Sequence, residues 1–253
     1  MIKIAKRRLA LALITAAALF GGAPAFAAET QVAVAANFTA PAKDIAAAFK
    51  AATGDTAVLS FGSSGQFYTQ ISQGAPFEVF LSADADRPKK AEQDGLAAPG
   101  SRFTYAIGKL VLFSKTPGLV DGGGAVLTHG AFDKLAIANP AAAPYGAAAI
   151  ETLKSMGVYD RLAPKIVQGE SITQAYQFVE TGAAELGFVA QSQVINEPGG
   201  SRWLVPSTDY APIEQQAILL HTGDSDPAAK AFLAFLKSPA AVAIIKRYGY
   251  EVP

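Results

Sequence analysis

The feature that most constrains this chain is an alternation, from residue 28 onward, between short apolar runs and longer amphipathic segments. Val32-Ala33-Val34-Ala35-Ala36 is apolar at every position, the pattern of a strand buried on both faces of a parallel sheet. Asn37-Phe38-Thr39 follows. Pro41 then suits the first turn of a helix, with Thr39 or Ala40 at the cap, and Ile45 and Phe49 give that helix a buried face before Gly54. Residues 57–61 predict a second strand, 66–73 a helix closed by Gly74, and 77–81 a third strand. A further helix starts at Ser82-Ala83-Asp84 and ends at Gly95. Such alternation predicts right-handed crossovers and an α/β fold.

The pattern pauses and then resumes. Residues 105–113 read as one long β-rich segment containing Gly108, and residues 117–130 read as a surface loop without helical or strand period. The loop holds Gly122-Gly123-Gly124 but no G-x-x-x-x-G-K-[ST] frame, and Lys134 lies too far on to complete a phosphate loop. A second αβ series follows: a strand over 135–138, a helix opened by Pro144-Tyr145-Gly146, a short strand at 166–167, a helix over 172–180 and a strand over 186–190. The chain closes with a strand over 216–220 and helices after Asp226-Pro227 and Ser238-Pro239. Two α/β lobes account for this order, one of residues 28–107 plus 217–253 and the other of 108–216. Two crossings would join them, leaving a cleft of the kind in which α/β proteins hold ligands.

Upstream of the alternation, Lys3, Lys6, Arg7 and Arg8 precede the apolar residues 9–20, and Ala25-Phe26-Ala27 supplies a small-x-small site. The apolar run is short for a membrane span, so the segment reads as an export signal cleaved after Ala27, giving a periplasmic protein. Its removal takes 21 basic residues to 17 against 21 acidic ones, a formal charge of −4. That balance argues against nucleic acid or an anionic membrane as partner. The chain has no cysteine and only two histidines, His129 and His221, outside any H-x-x-x-H frame. Disulfides, thiolate nucleophiles and a conventional zinc site are thereby excluded or deprived of ligands.

Four places share one design, a strand end or turn of small or polar residues followed by a helix start: Asn37, Ser63-Ser64, Pro144-Tyr145-Gly146 and Ser171-Ile172. Each alone is an ordinary cap. Together, two from each lobe, they could enclose an anion with backbone N–H groups and hydroxyls at the positive ends of helix dipoles. The competing reading makes Ser63 or Ser64 a nucleophile, but Gly62-Ser63-Ser64-Gly65 misses the G-x-S-x-G spacing and no S-x-x-K follows either serine. Asp84 and Asp86 read as helix-start acids, and Arg87, Lys89 and Lys90 as a solvated helix face. Trp203 and Tyr210 read as loop residues that pack the second lobe.

Residues 34–39 (V-A-A-N-F-T), 60–65 (S-F-G-S-S-G), 74–84 (G-A-P-F-E-V-F-L-S-A-D) and 246–250 (K-R-Y-G-Y) together resemble the periplasmic molybdate-binding proteins of ABC importers. The resemblance runs in order over essentially the whole chain after residue 27. It implies a type II periplasmic-binding-protein fold, two lobes with a two-crossing hinge that close on a tetrahedral oxyanion, molybdate or tungstate. It also implies a monomer, no enzymatic activity, no cofactor, no direct protein ligand to metal, and an inner-membrane ABC permease as partner. By position, Asn37 stands where the family often has Ser and offers its amide. Ser64 matches a hydroxyl and backbone donor, Tyr145 a backbone N–H after Pro, and Ile172 the N–H of an apolar residue opening a helix. Ser63, Ser171 and Ala190 are neighbouring candidates. Ala190 stands where some members carry a Tyr hydroxyl, for which the Tyr145 phenol is the expected substitute. A receptor for another oxyanion such as sulfate, and a periplasmic serine hydrolase, are the alternative functions.

Overall fold

The computed structural model describes residues 27–130 and 132–253, so the expected export signal lies outside the described residues. In chain order it forms β1 (Glu29–Ala35), a 3-10 turn (Ala36–Phe38), α1 (Thr39–Thr53), β2 (Thr56–Gly62), α2 (Ser64–Ser72), β3 (Val79–Leu81), α3 (Asp86–Gln93) and β4 (Phe103–Gly108). There follow β5 (Leu110–Ser114), α4 (Ala125–His129), β6 (Leu135–Ala138), α5 (Pro144–Ser155), α6 (Tyr159–Leu162), β7 (Ile166–Gly169), α7 (Ile172–Glu180), β8 (Leu186–Ala190), α8 (Gln191–Val194) and β9 (Ser201–Leu204). The last elements are β10 (Ile213–Leu219), α9 (Pro227–Leu236) and α10 (Pro239–Arg247).

The strands form two five-stranded sheets, β2-β1-β3-β10-β4 and β7-β6-β8-β5-β9. In the first, β1 is parallel to β2 and β3, and β10 is antiparallel to β3 and β4. The second repeats the scheme, with β6 parallel to β7 and β8, and β5 antiparallel to β8 and β9. Each lobe is therefore a parallel βα core completed by an antiparallel strand. The second half of β1 shows why residues 32–35 are apolar: Val32 and Val34 pack with α1, α9 and α10, while Ala33 packs with Phe67, Ile71 and Phe80 on the other face. Phe49 meets Phe232 and Phe235 edge-to-face, with centroids 5.3 and 5.6 Å apart, and so ties α1 to α9.

Four expectations change. The single β-rich segment over 105–113 is two strands in different sheets, β4 ending at Gly108 and β5 beginning at Leu110, so Lys109 is a point of crossing. The returning strand β10 begins at Ile213, ahead of the expected re-entry at 217, and carries a bulge between Gln215 and Gln216. The loop over 117–130 contains the short helix α4, bracketed by Gly124 and Gly130 in left-handed conformations (φ 68° and 66°). A helix of five residues is too brief to show a period, and its Leu127 is fully buried. Trp203, expected in a loop, is in β9 and buried as core.

Candidate functional site

The parallel strands of both sheets end on the same cavity. It is small, with a volume of about 10 Å³, and is walled by Ala35, Ala36, Asn37, Gly62, Ser63, Ser64 and Ala83 from the first sheet's side and by Ala143, Pro144, Tyr145 and Ile172 from the second. Asn37, Ser63, Ser64, Tyr145 and Ile172 were all singled out by sequence, and the fold brings them together. Ser171 stands just outside the wall as the N-cap of α7, its hydroxyl accepting from the Gln174 N–H at 3.3 Å. Ala190 is fully buried and also outside the wall, its N–H donated to Gln193 Oε1 at 2.9 Å.

Local geometry decides what each corner presents. Ser64 and Ile172 are the first residues of α2 and α7, and Tyr145 is the second residue of α5 after Pro144. Asn37 lies within the 3-10 turn that follows β1. At these positions helical geometry leaves the N–H without an intrahelical acceptor, so each corner can offer a backbone donor to the cavity. The Ser64 hydroxyl accepts from the Ala83 N–H at 2.9 Å. That bond occupies an oxygen lone pair and leaves the hydroxyl proton to be donated. Ser63 Oγ is buried with no hydrogen-bond partner among the described residues, while the Ser63 N–H is held by Gln66 Oε1 at 3.4 Å. No Lys, Arg, His, Asp or Glu belongs to the wall. The two histidines are elsewhere, His129 ending α4 and His221 paired with Asp224, so neither serine has a base at hand.

Behind the cavity lies a buried polar network that sequence reasoning missed. Gln215 Oε1 accepts from Asn37 Nδ2 at 2.8 Å and from Tyr105 Oη at 3.1 Å, and Gln215 Nε2 donates to Tyr145 Oη at 3.2 Å. Tyr250 Oη accepts from Asn37 Nδ2 at 2.9 Å and lies 2.9 Å from both the Asn37 carbonyl and Ser192 Oγ. The β10 bulge turns Gln215 inward, as bulges re-aim side chains. The Asn37 amide thus has both its protons committed within the protein, which leaves its backbone N–H as the free donor. The Tyr145 phenol oxygen likewise accepts from Gln215 Nε2 within this network. Gly108 makes room for this network, since a Cβ there would lie 2.1 Å from Tyr145 Oη. The one signal available in sequence was the Gln215-Gln216 pair, two amides directly ahead of the apolar run Ala217-Ile218-Leu219.

Burial pushes the phenols of Tyr105, Tyr145 and Tyr250 upward, with the neighbouring phenols adding to the effect for Tyr105 and Tyr145. All three therefore stay neutral at physiological pH. The cavity and its backing are neutral and rich in donors, with the N-terminal ends of α2, α5 and α7 supplying positive potential. Chemically this is a cradle for a small anion, and it spans both lobes.

Residues 30–251 match the family model of the bacterial extracellular solute-binding proteins. The Rhodobacter capsulatus molybdate-binding protein ModA is 60% identical over 95% of this chain and 94% of its own length. Among solved structures, the periplasmic molybdate-binding protein of Azotobacter vinelandii superposes with a TM-score of 0.86 at 45% identity, covering 88% of this chain and 99% of that one. The substrate-binding domain of a putative molybdenum ABC transporter from Clostridium difficile superposes with a TM-score of 0.69 at 25% identity, covering 90% and 100%. The fold is the two-lobed α/β architecture of periplasmic binding proteins, as the sequence pattern predicts. With a family model over most of its length and a relative of such identity, the chain belongs to the bacterial extracellular solute-binding proteins, in the branch that the ModA proteins represent.

Proposed function

We propose that this protein captures molybdate, and also tungstate, outside the inner membrane and delivers it to an ABC permease. The observation that carries the reading is the neutral cavity between the lobes, in which helix starts and serine hydroxyls converge without a charged side chain. Asn37, Ser64, Tyr145 and Ile172 would each donate a backbone N–H, with hydroxyls from Ser64 and Ser63. Enclosing a dianion carries a large desolvation cost, and several aligned donors can offset it. Neutral donors also suit a receptor that must give its ligand up. The relatives are binding proteins, and the chain performs capture rather than covalent chemistry.

Ligand size then sets selectivity. Molybdate and tungstate are close in radius, whereas the smaller sulfate would leave donors unpaired, each buried orphan costing about 1–3 kcal/mol. The protein would act as a monomer after cleavage of the export signal at Ala27. Calorimetry of the mature protein against molybdate, tungstate, sulfate and phosphate tests the proposal. Tight binding of the first two and weak or absent binding of the others is expected; heat with sulfate but none with molybdate would refute the ligand while keeping the fold.

A further inference from the structure

The two lobes also touch at one mouth of the cavity, through groups outside its wall. The Gly65 N–H, on the second residue of α2, donates to the Ala142 carbonyl at 2.9 Å. Beside it the Arg87 guanidinium donates through Nη2 to the Ala141 carbonyl at 2.9 Å, while its Nη1 is paired with the Asp84 carboxylate. Gly65, Arg87 and Ala142 are packed together: a Cβ on Gly65 would lie 3.0 Å from Ala142 Cα and 3.1 Å from Arg87 Nη2. On the receiving side, Asn139 Oδ1 accepts the Ala141 N–H at 3.0 Å and the Asn139 carbonyl accepts the Ala142 and Ala143 N–H groups. The acceptor loop is thus shaped by its own lobe.

From this we infer that Arg87 and Gly65 form a latch that holds the lobes closed and sets how fast the oxyanion leaves, without touching it. The expectation from sequence that Arg87 is a solvated helix residue is thereby corrected: its side chain is only 22% exposed, oriented by Asp84 and pointed across the cleft. Asp84 lies just ahead of α3, which starts at Asp86; as expected of a helix-start acid its Oδ1 accepts the Arg87 backbone N–H at 3.1 Å, and its other oxygen also holds the Arg87 guanidinium. Both bonds join residues on different lobes, so they can exist only when the lobes are closed. A contact of that kind favours closure by its own free energy and opposes release. Arg suits the task because its planar fork can hold a carboxylate with one nitrogen and a carbonyl with another. The residue is a positioning group, and the inference rests on the capture role proposed above.

The test uses the mature full chain and molybdate as probe. Arg87→Met keeps the apolar stem and removes the donors; Gly65→Ala inserts a Cβ where Ala142 approaches. For Arg87→Met, the release rate measured by chasing labelled molybdate should rise about three- to tenfold, the loss of one partly exposed charged hydrogen bond. The association rate should stay unchanged, a split that general destabilisation would not produce. The chain has no native cysteine, so spin labels can be placed on exposed positions of each lobe by Gln70→Cys and Lys154→Cys. In ligand-free protein both latch variants should shift the interlobe distance distribution toward longer values. Unaltered release together with superimposable distributions in both variants overturns the latch. Failure of the unsubstituted protein to bind molybdate would overturn the proposed ligand instead, and the distance measurement would still decide the latch.

Discussion

Replacing Ser64 by Ala separates what the hydroxyl gives the ligand from what it gives the fold. In the structure the Ser64 oxygen accepts from the Ala83 N–H at 2.9 Å, and both residues are almost fully buried. Its remaining proton is available to the proposed anion, so the variant would lose one hydrogen bond to a charged group, worth about 1.5–3 kcal/mol. That loss corresponds to a rise in Kd of about 10- to 150-fold. The Ala83 N–H is orphaned as well, at a cost of about 1–3 kcal/mol to the folded state. For a chain of this length each kcal/mol lowers Tm by about 2–4 °C, so the ligand-free variant should melt several degrees earlier. Titration calorimetry with molybdate gives the first quantity and scanning calorimetry without ligand the second. Ser64→Thr, which keeps the hydroxyl, should recover much of both. An unchanged Kd in Ser64→Ala would show that the hydroxyl does not face the ligand and that the site is misplaced.

Three further outcomes follow from neighbouring groups. Ser63→Ala should leave the ligand-free Tm unchanged or slightly higher, because the hydroxyl it removes is buried without a partner, yet weaken molybdate binding by calorimetry; intact affinity would exclude this hydroxyl from the ligand shell. Tyr250→Phe takes the phenol from the Asn37 amide, the Asn37 carbonyl and Ser192, and urea denaturation should show a loss of about 1–3 kcal/mol for each group left unsatisfied. Because burial raises the Tyr105, Tyr145 and Tyr250 phenols, the folded state keeps their protons to higher pH than the unfolded chain does. Their stability contribution is therefore complete below the unfolded value of about 10 and is lost as pH rises beyond it. Denaturation between about pH 9 and 12, with tyrosinate absorbance followed in parallel, should show stability falling above pH 10 and these phenols ionising only as the protein unfolds.

The corners of the site were legible in the sequence because local rules build them. Ser63-Ser64 stands between an apolar strand and an amphipathic helix, Pro144 marks a first turn, and Ser171 caps the helix that Ile172 opens. None of this needs knowledge of what lies across the cleft. What the side chains do once there was not legible. Whether the Asn37 amide faces the ligand or the protein depends on Gln215 and Tyr250, which are 178 and 213 positions away. The Tyr145 phenol oxygen accepts from the same Gln215. Arg87 looked like any helix-surface cation because its acceptor, the Ala141 carbonyl, is supplied by the other lobe.

The division of labour follows from charge. A cationic side chain inside the cavity would bind a dianion more strongly, but it would hold that anion against the transporter as well. Here the cavity wall is neutral, and the nearby guanidinium is neutralised by Asp84 and spends its second nitrogen on a carbonyl of the opposite lobe. Positive charge is thus kept at the rim, where the proposed latch would use it for closure, while dipoles and hydroxyls would be left to act on the ligand. Prising the lobes apart breaks the Gly65 and Arg87 bonds. On the proposed donor set, it would also remove Tyr145 and Ile172 from the Asn37 and Ser64 side in the same movement. Release therefore requires no change in the charge of any residue: a permease that separates the lobes dismantles the cradle and the latch together.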